Sequence, residues 1–569
     1  MSPTTSAAAL DAAVAQLQAS KDRWAALPPQ ARRVILEELR SDFLAIAADW
    51  VTASLEAKGF SSGGLAEAEE WLFTATILRA MRLLSQSLVE IERHGRVNLP
   101  GPFVPNQSGQ LVAQVFPSGL TDRLLYQGLS GEVWLEPGVT AEAAVATSVR
   151  WRGGDKRAGR VVLVLGAGNA SMLPVIDTLH KLFVEDQVVL LKPNPVNAYL
   201  GPLLEKGFQA LMARGFLRLV YGDQAEGSYL AEHPAVDELH LTGSIRTFEA
   251  ITFGSGVVGE RRKQAQRPLL NKRFTCELGN ISPVIVVPGP WSAAEIADQA
   301  SQIATWLVAN AGFGCLTPRL LIQMQDWPQR LALNRALEQC LAGVETRPAY
   351  YPGAAAIQAD FVAAHPQARQ IGRANGDRLP WTFIPDVDPK QPDDICFSRE
   401  AFCGLLAETA LPASSPIAFL EKAVEFANES VWGTLCASLI VHPASLNDPR
   451  MAAAVAQAIA DLRYGAVVIN QSPFAAYYLL VTPWGGFPGQ PLNDVQSGLG
   501  KTGNVLMLDK VQKSVVYAPF HKKLDAIRVT ARRPHQFCRQ LAFYEASRAL
   551  WRLPGLAWAA LRSQAVRGS

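Results

Sequence analysis

Charge is scarce in this 569-residue sequence: 18% of residues are Asp, Glu, Lys or Arg, and 53 basic against 51 acidic side chains leave a formal net charge of +2. A balance this close to neutral lacks the clustered cationic surplus that phosphate backbones need, which argues against nucleic acid as the main partner. Cysteine is sparse and unpatterned. The seven residues, Cys276, Cys315, Cys340, Cys396, Cys403, Cys436 and Cys538, form no CxxC pair, and the eight histidines are equally dispersed. Neither a disulfide framework nor a zinc site has that distribution, so no metal is expected. Long apolar runs are also missing: nothing approaches the ~18–20 residues of a spanning helix, although mean hydropathy is slightly positive at +0.08. The opening MSPTTSAAALDAAVAQLQ has neither the basic nor the apolar region of a signal peptide, so a cytoplasmic location is expected. No internal repeat or low-complexity tract stands out.

What the chain does have is core-forming material. Apolar residues make up 49% of it, which excludes wholesale disorder. Its length corresponds to about three to four domains, or to one large interlocked enzyme. Helical spacing of Trp24, Leu27, Val34, Leu36, Leu39, Phe43 and Ile46 predicts helices between Ala7 and Gly59, and another follows over Leu65–Glu92. Residues 98–155 are punctuated by Pro and Gly and read as irregular, with short strands such as Glu132–Leu135. Apolar strands then alternate with helices: strands at 160–165, 187–191, 217–221 and 237–242, with helices over 173–183 and 200–214. This is the pattern of a doubly wound parallel sheet, an α/β fold that binds nucleotides at the carboxyl ends of its strands. Further strands are predicted at 283–287, 319–323, 433–441 and 466–470. Beyond Pro519 the chain turns basic, with ten Lys/Arg against two Asp/Glu from His521 to Ser569.

Gly166-Ala-Gly168 after the first of these strands fits either a tight strand-to-helix turn or the opening of a GxGxxG fingerprint whose third glycine is replaced by Ser171. Cys315 follows two glycines in Asn310-Ala-Gly-Phe-Gly-Cys315. It is either a small buried hydrophobe or a sulfur brought close to a ligand by a permissive backbone. A carboxylate, Glu277, stands just before a glycine turn in Cys276-Glu277-Leu-Gly-Asn-Ile-Ser-Pro283.

Together these residues resemble the aldehyde dehydrogenase superfamily. Glu277-Leu-Gly-Asn-Ile-Ser-Pro283 is similar to its E-L-G-G-K-S-P signature, and Asn310–Cys315 to its N-x-G-Q-x-C signature. Leu191-Lys-Pro193, Leu241-Thr-Gly-Ser244, Ser398-Arg-Glu-Ala-Phe402 and Pro483-Trp-Gly-Gly-Phe487 match further motifs in family order. The resemblance implies a thiolate nucleophile at Cys315, a water-activating base at Glu277 and an oxyanion donor at Asn169. It implies NAD or NADP as cofactor, held by Lys192, Gly243, Ser244, Leu278, Glu400 and Phe402. Trp306, Phe313 and Phe474 are candidates for an aldehyde tunnel or for core.

The implied architecture is a cofactor domain over 1–276 with 98–155 inserted, a catalytic domain over 277–479, and a return and oligomerisation element over 480–519. Residues 520–569 are a basic extension, either covering the body or a subunit interface, or touching a membrane surface or partner. The family implies a homo-dimer or tetramer in which a strand near Asn504–Tyr517 joins a neighbour's sheet. The sequence also departs from the pattern. Phe313 replaces a Gln, Pro195 stands where a ribose-binding glutamate is common, and Phe248 replaces a glycine where its ring would crowd the pyrophosphate. Oxidation of an aldehyde to its acid is the implied function. Acyl transfer to coenzyme A and a non-catalytic binding role are the alternatives.

Overall fold

Strands made only of branched apolar residues have no polar face to show to water, so they belong at the centre of a covered parallel sheet. Val161–Leu165 and Val188–Lys192 are of this kind, and both are buried along their whole length. In the computed structural model, which describes residues 4–106, 108–150, 158–522 and 526–564, they lie inside a six-stranded sheet. Its order is Gly498–Leu499, Arg273–Glu277, Glu238–Thr242, Val161–Leu165, Val188–Lys192, Leu217–Leu219. All neighbours run parallel except the short Gly498–Leu499 strand, which returns from far along the chain to pair antiparallel with Arg273–Glu277. The helix Leu173–Phe183 falls where periodicity placed it and is buried throughout.

The second sheet has eleven strands. Its middle is parallel and includes Pro283–Val286, Leu320–Met324, Cys436–Ile440 and Ala466–Ile469. Two of its strands, Trp381–Val387 and Leu405–Leu411, were not expected from the sequence. The described residues within 98–155 are less irregular than predicted. Phe103–Pro105, Leu111–Phe116 and Ser130–Leu135 form an antiparallel run at one end of this second sheet, not an insert in the first.

The expectation that a strand near Asn504–Tyr517 joins a neighbour's sheet is corrected by the pairing. Val511–Tyr517 pairs antiparallel with Ser130–Leu135 on one side and parallel with Ala466–Ile469 of the same chain on the other. Both hydrogen-bonding edges of that strand are therefore filled from within. Lys513 helps fix it: its buried ammonium donates to the carbonyls of Ile459, Ala460 and Leu462 at the end of the helix Pro449–Asp461. A cation suits the negative end of a helix dipole, and burial brings this lysine down to about 7.

The basic extension folds back onto the body. The helix Pro534–Ser547 packs along Leu65–His94, and Leu553–Ser563 packs against it in turn. Glu545 is fully buried between them. Its carboxylate accepts from Arg79 at 2.9 Å, from Arg82 at 2.6 Å and from the Tyr126 hydroxyl at 2.9 Å. Arg548 bridges the same carboxylate at 3.5 Å to Asp122 at 2.7 Å. These guanidinium groups hold Glu545 far below the usual carboxylate range. The cluster's contribution is complete above the unfolded carboxylate value near ~4.3 and is lost only in strong acid. Glu545→Gln removes the charge and leaves buried arginines uncompensated, a cost of about 3–5 kcal/mol. Thermal unfolding at pH 7 should show a fall in Tm of several degrees; an unchanged Tm would mean that the helix is held by apolar packing alone. The outer side of the extension leaves Leu550, Trp551, Trp558 and Leu561 exposed. No helix among the described residues is long and apolar enough to cross a membrane.

Candidate active site

The helix Ala293–Val308 does not run into the segment that carries Cys315 but stops at it. Asn310, Ala311 and Gly312 take successive positive φ values of 50°, 56° and 82°, a left-handed stretch that costs roughly 1–2 kcal/mol per non-glycine residue. At Gly312 the need for glycine is also steric, because a Cβ there would sit 2.7 Å from the backbone of Cys403. Side chains hold the turn. The backbone N–H of Asn310 donates to Glu69 at 3.0 Å, and its amide nitrogen donates to the carbonyls of Asn169 at 2.7 Å and Phe313 at 3.1 Å. Lys58 and the Tyr350 hydroxyl both donate to Asn310 Oδ1. Arg319, 2% exposed, reaches back to the carbonyls of Gly312, Gly314 and Cys403. Cys315 emerges from this clamp half-buried.

Two of the expected partners meet it. Glu277 ends the strand Arg273–Glu277 and is 3% exposed. Its carboxyl interacts with the side chains of Cys315 and Trp484, and its buried Oε2 has no hydrogen-bond partner among the described residues. Burial pushes this acid up to about 7, with the negative charges of Asp177 and Glu400 adding to the shift. Burial, and then the Glu277 charge, likewise pushes the thiol well above its ordinary value. At rest the pair therefore holds a neutral thiol beside a carboxyl poised to take its proton. Asn169 lies between the strand Val161–Leu165 and the helix Leu173–Phe183. Its side-chain nitrogen donates to the carbonyl of Phe313 at 3.0 Å, and its carbonyl accepts from Tyr350 at 2.6 Å. The second hydrogen of that amide has no acceptor among the described residues.

Of the residues assigned to a cofactor, Lys192, Gly243, Ser244 and Leu278 end or follow strands of the first sheet, while Glu400 and Phe402 come from the segment ahead of Leu405–Leu411 in the second. Lys192 closes Val188–Lys192 and is 6% exposed. Burial lowers its pKa, opposed by Glu226 and Asp223, and its ammonium makes no hydrogen bond or ion pair among the described residues. Gly243 and Ser244 are exposed ahead of the helix Ile245–Phe253, with the Ser244 hydroxyl capping Thr247. Phe248 does not crowd that helix start. Its ring is fully buried beneath the helix, 4.9 Å from Phe274. Glu400 packs against Gly279, where a Cβ would come 2.2 Å from its oxygen, and accepts from the Asn280 N–H at 3.2 Å. Burial pushes Glu400 up to about 7, with Arg319 opposing. Phe402 stands 4.8 Å from Tyr351 and 5.8 Å from Phe313. Leu278 is different: its side chain is in the core and its N–H is bonded to Ser497, so only its carbonyl could meet a ligand.

A cavity of about 760 Å³ opens over Cys315 and Asn169, and Trp306, Phe313 and Phe474 are on its wall. Sequence reasoning missed Arg319 and Tyr350, which fix the turn that carries Cys315 and the loop at Asn169. Arg319 carried one signal, an arginine abutting the apolar run Leu320–Met324; a charge there must find buried acceptors.

Residues 158–363 match the model of the aldehyde dehydrogenase family. Over 135 residues the chain is 32% identical to the N-succinylglutamate 5-semialdehyde dehydrogenase of Sphingopyxis alaskensis; this covers 24% of the chain and 25% of that enzyme. The fold extends much further. The aldehyde dehydrogenase of Mycobacterium tuberculosis complexed with NAD+ superposes with a TM-score of 0.60 at 19% identity, covering 92% of both chains. The NADP-dependent glyceraldehyde-3-phosphate dehydrogenase of Bacillus halodurans, complexed with NADP, gives 0.60 at 17% identity, covering 90% of this chain and 92% of that one. Residues 158–363 thus match the aldehyde dehydrogenase family in sequence, and about nine-tenths of the chain shares the fold of solved aldehyde dehydrogenases.

Proposed function

We propose that this protein oxidises an aldehyde to its carboxylic acid with NAD or NADP, through a thioester on Cys315. The observation that carries the reading is the Glu277 carboxyl set against the Cys315 thiol, with Cys315 and the Asn169 amide on the wall of one cavity. The residues present also fit a dinucleotide. The unpaired Lys192 ammonium can hold ribose hydroxyls, and the exposed N-terminus at Ser244 suits a pyrophosphate. When bound, the nicotinamide supplies a hydride acceptor.

The chain's own groups supply the rest. Glu277 takes the thiol proton, and the Cys315 sulfur forms a bond to the aldehyde carbon while the carbonyl π electrons move to oxygen. The second Asn169 N–H and the Cys315 backbone N–H are the donors for that oxyanion, a contribution of roughly 3–4 kcal/mol where such donors are preorganised. After oxidation the sulfur carries an acyl group. Glu277, having released the thiol proton to solvent, accepts a proton from water as the water oxygen bonds to the acyl carbon and the carbonyl π electrons move to oxygen, and it then passes that proton to the departing sulfur. Breaking the C–S bond releases the acid and returns the thiol.

Retention of a buried base near 7 favours water over coenzyme A as acyl acceptor, since a thiol acceptor brings its own nucleophile. The test is an aldehyde panel with each dinucleotide, measuring acid by chromatography alongside reduced cofactor by absorbance. One acid per reduced cofactor is expected, together with a rise in Tm on adding the preferred dinucleotide. Acyl-CoA formation without acid would overturn the hydrolytic reading. Absence of both turnover and any Tm response would overturn the enzymatic one.

A further inference from the structure

The cavity over Cys315 is larger than a small aldehyde needs, and part of its wall comes from a place that the matched family segment does not reach. Phe537 and Leu541 of the helix Pro534–Ser547, and Leu556, Ala557 and Ala560 of Leu553–Ser563, line the same cavity as Cys315. About 760 Å³ is within the ~300–1,000 Å³ that encloses a drug-sized ligand. The charged groups on the wall are already paired. Lys522 donates to Gln471 at 3.0 Å and also to Gln302, Arg528 is bonded to Asp298 at 2.6 Å, and Glu69 to Arg347 at 2.7 Å. His521 faces Glu295 at 3.2 Å. An aldehyde with a carboxylate or phosphate at its far end would have to break one of these pairs, whereas an apolar tail disturbs none.

The wall is fixed. Besides the buried Glu545 cluster, Ser563 donates to the Ala526 carbonyl at 2.6 Å, and the Arg532 N–H donates to the Ser563 carbonyl at 3.1 Å. Ala557 is exposed as well as lining the cavity, so it stands where the channel meets solvent.

We propose that the two C-terminal helices form the outer wall of the substrate channel and select an aldehyde with a long apolar tail. This rests on the aldehyde-oxidising reading above and names its substrate class. Each methylene taken out of water into the channel should raise kcat/KM about fourfold until the space is filled.

The test compares propanal with decanal in the full-length protein, in Ala557→Trp, which adds bulk at a solvent-exposed position, and in Ala560→Phe, which adds it deeper. The wild type should prefer decanal by more than a hundredfold. Both variants should lose at least tenfold on decanal and stay within twofold on propanal, with Tm reporting that they fold. Equal use of the two aldehydes by the wild type, or equal losses on both in the variants, would overturn the proposal. Binding separates it from the catalytic reading. 1-Decanol, which cannot be oxidised through a thioester on Cys315, should raise the Tm of the wild type and not that of Ala557→Trp. If no aldehyde turns over but that pattern holds, the channel stands and the catalysis fails; if decanol has no such effect, the channel fails.

Discussion

Cys315→Ala is expected to lower aldehyde oxidation by about 10⁴-fold or more, the scale seen when a group that forms the covalent intermediate is removed. The argument is local. The remaining cysteines next to the site cannot substitute, because Cys276, Cys403 and Cys436 are 0–2% exposed, and burial pushes their thiols up to between about 11 and about 12. Cys315 alone among these borders the cavity. The substitution removes only a sulfur at a half-buried position, so the clamp of Arg319, Asn310 and Tyr350 stays in place and the fold should not suffer. Reduced-cofactor formation measured at high enzyme concentration gives the residual rate, and mass spectrometry of the quenched wild type should find the acyl group on the peptide containing Cys315. Turnover surviving in the variant would remove the thioester from the mechanism.

Much of the fold was legible because local chemistry determines it. A run such as Val161–Leu165 can only be a buried strand, and the helix Leu173–Phe183 carries its own periodicity. Motifs pointed to Cys315, Glu277 and Asn169, and the structure places Cys315 against the Glu277 carboxyl and on the same cavity as Asn169. What was not legible depends on contacts distant in sequence. Nothing in Asn310-Ala311 announces two left-handed residues in succession; that conformation exists because Glu69, Lys58 and Tyr350, far away in sequence, over-determine it. The strand Val511–Tyr517 was recognisable, but whose sheet it completes is a matter of register against Ser130–Leu135 and Ala466–Ile469. The extension read as a basic tail because charges were counted along the chain. In space, Arg548 is paired with Asp122 and Glu545, and the same Glu545 also pairs with Arg79 and Arg82 from another helix. The departure Phe248 looked obstructive in a motif but points into the core, since a side chain's direction follows from the helix phase and not from its place in a signature.

Glu277→Gln carries the second large effect, and its signature lies in pH and in time course. The buried carboxyl has its pKa pushed up to about 7, so in the wild type the base form is lost as pH falls through that value. The rate of acid release should therefore rise about tenfold per pH unit below 7 and level off above it. Glutamine preserves the shape and removes the proton acceptor. Steady-state turnover should fall by about 10²–10⁴-fold, the range for a positioned general base, and the limb near 7 should disappear. If Glu277 serves mainly the water step, the first turnover outlives the later ones. Mixing the variant with aldehyde and dinucleotide at alkaline pH, where part of the thiol is ionised without help, should then give a burst of about one reduced cofactor per subunit before the reaction stalls with the acyl group on Cys315. A variant that lacks the burst but is equally slow places Glu277 chiefly at the thiol, as its contact with Cys315 also permits. A variant that turns over at the wild-type rate with the limb intact would show that another group activates both nucleophiles.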